Sequence, residues 1–370
     1  MNKDNYECAV LIPIYRQEYT LEEKMSLHQI HKYLSGYHIF FVAPVGLKVE
    51  KYQALVPKAM VKFFPKKYFS GFEGYNCLMT SQDLYLAFLS YKKVLICQTD
   101  VFVFSNDLEQ FLKLPYDYIG APCAKHKPWE CRLYGGNGGF SLRNVQSILK
   151  IIEKKFGKHG HINGMNEDTF FSDCGENGED DFRVAPLDIA LKFSFDQPLA
   201  KISYELNGHK IPFGFHGWYN YDISVSKMLI TSYIGTNYAW KENIPNQEHL
   251  CKIKEFFKEN KLVYMYGAGD IGQVFYEFCR KEKIDFEGYI VSDDQMINRT
   301  VYNNKKIYHI SDIDNIKNCS IVITIMRRYR SMEDFERTLQ LKGVTKILSV
   351  TTEMIFAVEE DLLRQKYFDN

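Results

Sequence analysis

The chain has 370 residues, more than one typical core accommodates, which predicts two domains. Lys plus Arg and Asp plus Glu both total 46, so the net charge is zero and no global basic field argues for a nucleic-acid partner. Apolar residues make up 46%, which excludes a disordered chain, and the longest apolar stretches, such as Ile39 to Leu47, fall far short of a membrane span.

Nine cysteines are scattered without a C-x-x-C pair, and several sit in or beside apolar runs, as Cys97 and Cys319 do. That usage predicts reduced thiols in a cytoplasmic compartment. Between Met1 and the strand-like Ala9–Ile12 there is no basic, apolar and cleavage-site sequence, so no signal peptide is expected. Short basic patches at Lys66-Lys67 and Arg327–Arg330 leave peripheral contact with the inner face of a membrane open, although such runs are usually solvated surface.

In chain order, Cys8–Ile12 is a short apolar run closed by Pro13. Thr20 is placed to cap a helix with Glu22 and Glu23 in its first turn and Leu27, Ile30 and Leu34 on one face. Tyr37–Val42 and Val61–Phe64 read as strands, and Ser81–Leu89 as helix. Lys92–Val103 is an apolar run stopped by Gln98-Thr99-Asp100, which puts a carboxylate just past the end of a buried strand. Strands alternating with helices predict a parallel, doubly wound α/β sheet, which binds ligands at the carboxyl ends of its strands. An acid at that edge can hold a hard divalent cation against a diphosphate.

From about Tyr134 the sequence turns glycine- and acid-rich. Gly135-Gly136-Asn137-Gly138-Gly139 precedes a strand-like Phe140–Leu142, and Asn144 is set to cap the helix Val145–Lys154. Four glycines in five residues let a backbone approach a ligand or take positive φ, and Asn137, Ser141 and Arg143 add polar groups for substrate binding. Glu167 and Asp168 are adjacent carboxylates before an aromatic pair, able to divide binding and general-base work if their environments separate their pKa values. A solvated helix start would show the same pair. The rival cluster Glu179-Asp180-Asp181 lies among turn formers and reads as a loop. Pro212–Trp218 flanks His216 with glycines and aromatics. His216 reads as a metal ligand beside Asp100 or as a satisfied, half-buried histidine, with Trp218 a substrate contact.

Taken together and in this order, Gln98-Thr-Asp100, Tyr118–Pro122, Gly136-Asn-Gly-Gly-Phe-Ser-Leu-Arg143, Asn166-Glu-Asp168 and Phe213-Gly-Phe-His216 resemble a bacterial family of GT-A-type glycosyltransferase-like domains over residues 5 to 225. Gln98-Thr-Asp100 departs from the family's usual motif by carrying one carboxylate where two are expected. The resemblance implies a Rossmann-type mixed sheet flanked by helices that binds a nucleoside diphosphate sugar, with a UDP-sugar favoured. It also implies Mg²⁺ or Mn²⁺ at Asp100 and His216, and donor or acceptor contacts from Gln98, Thr99 and the Gly136–Arg143 stretch. The expected acceptor is a hydroxyl of a glycan or lipid-linked glycan in bacterial surface polysaccharide assembly.

The polar, proline-containing stretch Lys241–Gln247 predicts the boundary between domains at 1–240 and 248–370. Beyond the charged helix Glu248–Lys258, Leu262–Tyr266, Phe286–Val291 and Ser320–Ile325 read as strands. Gly267, Gly269 and Gly272 form a G-x-G-x-x-G turn between a strand and a helix, and Asp293 follows about 20 residues later, the spacing of a dinucleotide fingerprint. The module resembles small Rossmann-like nucleotide-binding domains attached to bacterial sugar-assembly enzymes. It predicts a nucleotide there, or a role in packing alone. An NAD-dependent sugar-modifying oxidoreductase built around Gly267, or a nucleotide-binding protein without catalysis, are the competing readings.

Overall fold

A computed structural model describes residues 6–127, 130–157, 162, 165–242, 244–297, 300–325 and 332–368. The basic run Arg327–Arg330 lies outside them. The chain divides into two compact units, 1–123 with 133–241, and 124–132 with 242–370. Both are mixed α/β. Among the described residues no helix is long and apolar enough to cross a membrane.

The first unit contains strands β1 (Tyr6–Pro13), β2 (His38–Pro44), β3 (Met60–Phe64), β4 (Tyr91–Cys97), β5 (Val101–Val103) and β6 (Tyr118–Gly120). β7 (Pro122–Lys127) and β8 (Glu130–Gly135) pair with each other, and β9 (Phe140–Asn144), β10 (Ser194–Asp196) and β11 (Gly214–His216) follow. The main sheet runs β3-β2-β1-β4-β9-β6. β1 to β4 are parallel to one another, whereas β9 runs antiparallel to both β4 and β6. The sheet is therefore mixed, as the resemblance implies, and the parallel arrangement expected from strand–helix alternation holds only for β1 to β4. Between β4 and β9 the chain passes through β5 to β8 and not through a single crossover helix, and the turn Gly136–Gly139 joins β8 to β9, so no strand–helix–strand crossover imposes the parallel direction there.

Side-chain alternation along β1 sends Cys8, Val10 and Ile12 into one core and Ala9 and Leu11 into the other. The helix Leu21–Leu34 covers the first face with Leu27, Ile30 and Leu34. The helix Val145–Phe156 covers the second with Ile148, Ile151 and Ile152. Each such fully buried aliphatic side chain contributes about 1.5–3 kcal/mol, so both faces hold the sheet. Thr20 caps the first helix in a capping box with Glu23, and Asn144 caps the second by accepting from the Gln146 and Ser147 amides. Beside the main sheet, β10-β11-β5 form a three-stranded sheet whose aromatic core includes Phe102, Phe195, Phe215 and Trp218.

The second unit holds β12 (Val263–Tyr266), β13 (Gly288–Val291), β14 (Val301–Tyr302), β15 (Lys305–His309), β16 (Ser320–Ile323) and β17 (Lys346–Ser349) in the order β14-β15-β13-β12-β16-β17. All but the edge strand β14 are parallel. Counting only the parallel strands, the order is 3-2-1-4-5, a doubly wound arrangement. Val263 and Met265 face one core and Tyr264 and Tyr266 the other, so this central strand is buried on both sides.

Candidate active site

Strand register assembles the first part of the site. β10 and β11 are parallel with Asp196 opposite His216, and β11 is antiparallel to β5 with His216 opposite Val101, the residue after Asp100. Three short strands thus present Asp196, His216 and Asp100 at one edge, and the Gly217 amide donates to the Asp100 carbonyl at 3.0 Å. His216 Nδ1 lies 2.7 Å from Asp196 Oδ1, and Nε2 lies 3.0 Å from Gln98 Oε1 and 3.4 Å from Asp100 Oδ1. Burial alone would lower the His216 pKa. Asp100 and Asp196 outweigh it and hold the imidazole well above its ordinary value. Burial pushes Asp100 up and His216 overrides it, leaving that carboxyl below its usual range, whereas burial wins at Asp196 and raises it.

The glycine loop forms the second part, and its glycines serve a purpose the sequence reading did not assign. None of Gly135–Gly139 has positive φ. Instead, side chains of the same unit press onto the loop. A Cβ on Gly139 would stand 2.1 Å from His216 Nε2, one on Gly138 2.1 Å from Glu167 Oε1, and one on Gly136 2.1 Å from Ser172 Oγ. The glycines therefore admit the unit's own acid, imidazole and hydroxyl against the backbone. Asn137 ties the loop to the histidine pair, its Nδ2 donating to Asp196 Oδ2 at 2.8 Å while its Oδ1 accepts from the Gly139 amide at 2.9 Å.

Beneath the loop lies a buried ion pair. The Arg143 guanidinium is fully buried and donates to Glu167 Oε1 at 2.9 Å, Ser141 Oγ at 2.9 Å, Tyr85 Oη at 2.9 Å and the Gly138 carbonyl at 3.2 Å. Ser141 in turn donates to the Gly138 carbonyl at 2.9 Å. These contacts take four of the five Arg143 N–H donors and the Ser141 hydroxyl, and they brace the loop from below. Trp218 is likewise fully buried, its indole N–H donated to Ser26 Oγ at 2.9 Å, which corrects its expected place as a substrate contact. Thr99 donates to Glu23 Oε1 at 2.6 Å, and Glu23 also takes Arg16 Nη2 at 2.6 Å, which fixes the strand end to the start of the helix Leu21–Leu34.

Glu167 and Asp168 open the helix Glu167–Glu176, and Asn76 Oδ1 accepts the Glu167 amide at 3.2 Å. Burial raises Glu167 to about 7, more than Arg143 lowers it. Burial also raises Asp168, against the Thr169 amide that donates to Asp168 Oδ1 at 2.6 Å. His216 acts electrostatically on both acids, so the two halves form one charged cluster. By contrast, Glu179 and Asp180 pair with Lys155 and Lys154 at 2.6 and 2.9 Å on the surface of the helix Val145–Phe156.

Asp196 went unnoticed in the sequence, although its signal matches that of Asp100: an apolar run, Phe193-Ser-Phe, that ends on an acid. Tyr85 and Asn76 carried no signal, because what makes them part of the site is their distance from Arg143 and Glu167.

Among the described residues no group of three or more His, Cys, Asp or Glu side chains is arranged to hold a metal ion. The nearest approach is Asp100 with His216 and the Gln98 amide oxygen. This donor set fits a hard cation in two respects. Asp100 Oδ1 is buried and among the described residues faces only His216 Nε2, 3.4 Å away. Asp196 holds Nδ1, so Nε2 would be the ligating nitrogen once it gives up the proton that Asp100 and Asp196 otherwise keep on the imidazole.

In the second unit, Gly267 has φ +116 and Gly272 sits so close that its Cβ would meet the Gly267 carbonyl at 2.4 Å, while among the described residues nothing lies within 4 Å of a Cβ on Gly269. The helix Asp270–Glu282 starts there. Asp293 spends one oxygen on the Ser311 amide at 2.9 Å.

A family profile described as a protein of unknown function, DUF5672, matches residues 58–216, less than half of the chain but spanning Asp100 to His216. No curated protein matches. Solved structures similar to the chain include the glycosyltransferase GlyE of Streptococcus pneumoniae TIGR4, at 12% identity and TM-score 0.35, covering 93% of this chain and 91% of that one. The galactosyltransferase LgtC in complex with donor and acceptor sugar analogs aligns at 13% identity and TM-score 0.38, covering 56% and 86%. The bifunctional glycosyltransferase WbbM aligns at 13% and 0.38, covering 59% and 48%. Likenesses this remote assign no activity.

Proposed function

We propose that the first unit is a glycosyltransferase that moves a sugar, a hexose by expectation, from a nucleoside diphosphate sugar to a hydroxyl of a glycan or lipid-linked glycan. UDP is the favoured nucleotide, and surface polysaccharide assembly at the cytoplasmic face of a bacterial membrane is the expected setting. The observation that carries this reading is the convergence of His216, paired with Asp100, and of Glu167 on one glycine loop past the carboxyl end of β4, with Asp168 beside Glu167 at the same helix start.

Asp100, His216 and Gln98 would hold Mg²⁺ or Mn²⁺. Bound there, the ion would offset the charge of a diphosphate leaving group. Asp168, raised by burial, is suited to take the proton of an acceptor hydroxyl. Glu167 is committed to Arg143 and keeps the loop in place. The second unit, with its glycine turn at a helix start, would bind a nucleotide or dock partners.

The test is release of nucleoside diphosphate from UDP-, GDP- and CDP-hexoses with and without Mn²⁺. Wild type should release it, Asp168→Asn should lose ~10²–10⁴-fold in kcat, and Asp100→Asn should lose the Mn²⁺ dependence along with activity. Full activity in Asp168→Asn, or no turnover of any of these donors by wild type, overturns the reading.

A further inference from the structure

The chain as a whole carries no net charge, yet residues 45–72 hold six lysines, no arginine and one acid, Glu50. This stretch follows β2, crosses over through the helix Glu50–Leu55, forms β3 and the helical turn Lys66–Phe69, and enters the helix Gly71–Met79. β3 is an edge strand of the main sheet. Lys51 pairs with Glu18. Lys48, Lys58, Lys62, Lys66 and Lys67 are exposed, and among the described residues no carboxylate pairs with them. Glu73 is the next acid along the chain.

Apolar side chains stand exposed among these lysines: Val45 is 55% exposed, Met60 41%, Phe63 46% and Phe72 63%. They share one rim. The Val45 amide donates to the Phe64 carbonyl at 3.0 Å. A Cβ on Gly74 would stand 2.6 Å from the Lys67 carbonyl, which sets the helix start carrying Phe72 against the turn Lys66–Phe69. Residues 60–67 span at most about 25 Å, the reach of an extended chain. β1 to β4 are parallel, so Val45 and Lys66 leave the sheet on the same edge as Asp100, about 10 and 14 Å to the side of it at the usual strand spacing.

We propose that this rim is a docking surface for an anionic phospholipid bilayer. The ammonium groups meet the headgroup charge, and Phe63 and Phe72 enter the acyl boundary. Lysine without arginine suits a diffuse negative surface, whereas recognition of single phosphates or of nucleic acid favours the planar fork of arginine. A second copy paired through β3 would bring like charges together, and lysine on an edge strand opposes such pairing. The surface itself needs no assumption about catalysis. Its use rests on the transferase reading, because docking here holds the edge with Asp100 near a lipid-linked acceptor.

Co-sedimentation of the full chain with vesicles tests the surface. Wild type should pellet with vesicles of phosphatidylglycerol and phosphatidylcholine, stay in solution with phosphatidylcholine alone, and be released as salt rises. Lys62→Gln, Lys66→Gln and Lys67→Gln combined should weaken binding about a hundredfold. Phe63→Ser with Phe72→Ser should weaken it about tenfold. All the replaced side chains are exposed, so urea unfolding midpoints should match wild type and a loss reads as lost docking. Wild type left in solution with the anionic vesicles overturns the proposal, as does undiminished pelleting of the lysine variant. Binding of soluble polyphosphate as tight as that of vesicles, and indifferent to the Phe63 and Phe72 changes, would assign the rim to an anionic polymer and overturn it too. A solution mass that halves in Phe63→Ser would overturn it in favour of a second copy. Vesicle docking without turnover of any nucleotide hexose would keep the surface and remove the transferase reading, so the two fail separately.

Discussion

The protein carries two glycine-rich turns, each between a strand and the next element, and they use glycine for different reasons. At Gly136–Gly139 the crowding comes from side chains, with Glu167, His216 and Ser172 pressed onto the backbone. At Gly267–Gly272 it comes from backbone, with the Thr324 carbonyl 2.7 Å from a Cβ on Gly267 and the Gly267 carbonyl 2.4 Å from one on Gly272. The first turn is a clamp on titratable groups, and the second is a tight strand-to-helix joint with one glycine, Gly269, facing open space. A glycine cluster in a sequence thus marks close approach, and only the neighbours reveal whether chemistry is what approaches.

The sharpest way to break this contrast is to add one methyl group to each turn. Gly139→Ala and Gly272→Ala should both lower stability by about 1–3 kcal/mol through overpacking, read from urea unfolding. Only Gly139→Ala should also abolish turnover, because its Cβ displaces the imidazole that sits between Asp100 and Asp196. Retained activity in Gly139→Ala would show that the histidine does not depend on the loop.

A smaller effect concerns pH. Glu167 rises from 4.5 to about 7 in the folded protein. A raised group binds its proton more tightly when folded, so its contribution is complete below 4.5 and is lost as pH climbs to about 7. Wild-type stability should fall across that window, and Glu167→Gln should fall less steeply. Asp168 and Asp196, also raised, keep part of the slope, and the loss from His216 begins above its ordinary 6.5. Identical slopes in unfolding midpoints from pH 5 to 7 would refute the placement of Glu167 as a buried acid.

The smallest expected change is at Gly269→Ala, whose new methyl meets nothing within 4 Å among the described residues. Its stability should stay within about 0.5 kcal/mol of wild type. A larger loss in unfolding would mean that this helix start is packed against something in solution.

Most of the secondary structure could be read from the chain. The Thr20 and Asn144 caps, the strand before Gln98 and the strand–turn–helix around Gly267 all lie where their local patterns put them, because capping, apolar runs and glycine turns act over a few residues. The acids at 100, 167 and 168 and the imidazole at 216 were visible as types. Tertiary structure alone decided how they are used. β10–β11 register brought in Asp196, and the antiparallel return of β9 put Arg143 beneath the loop. The packing of Trp218 and Arg143 turned two apparent ligand contacts into supports. Register and burial depend on residues more than a hundred positions apart, such as Gln98 and His216, and no local pattern encodes that distance.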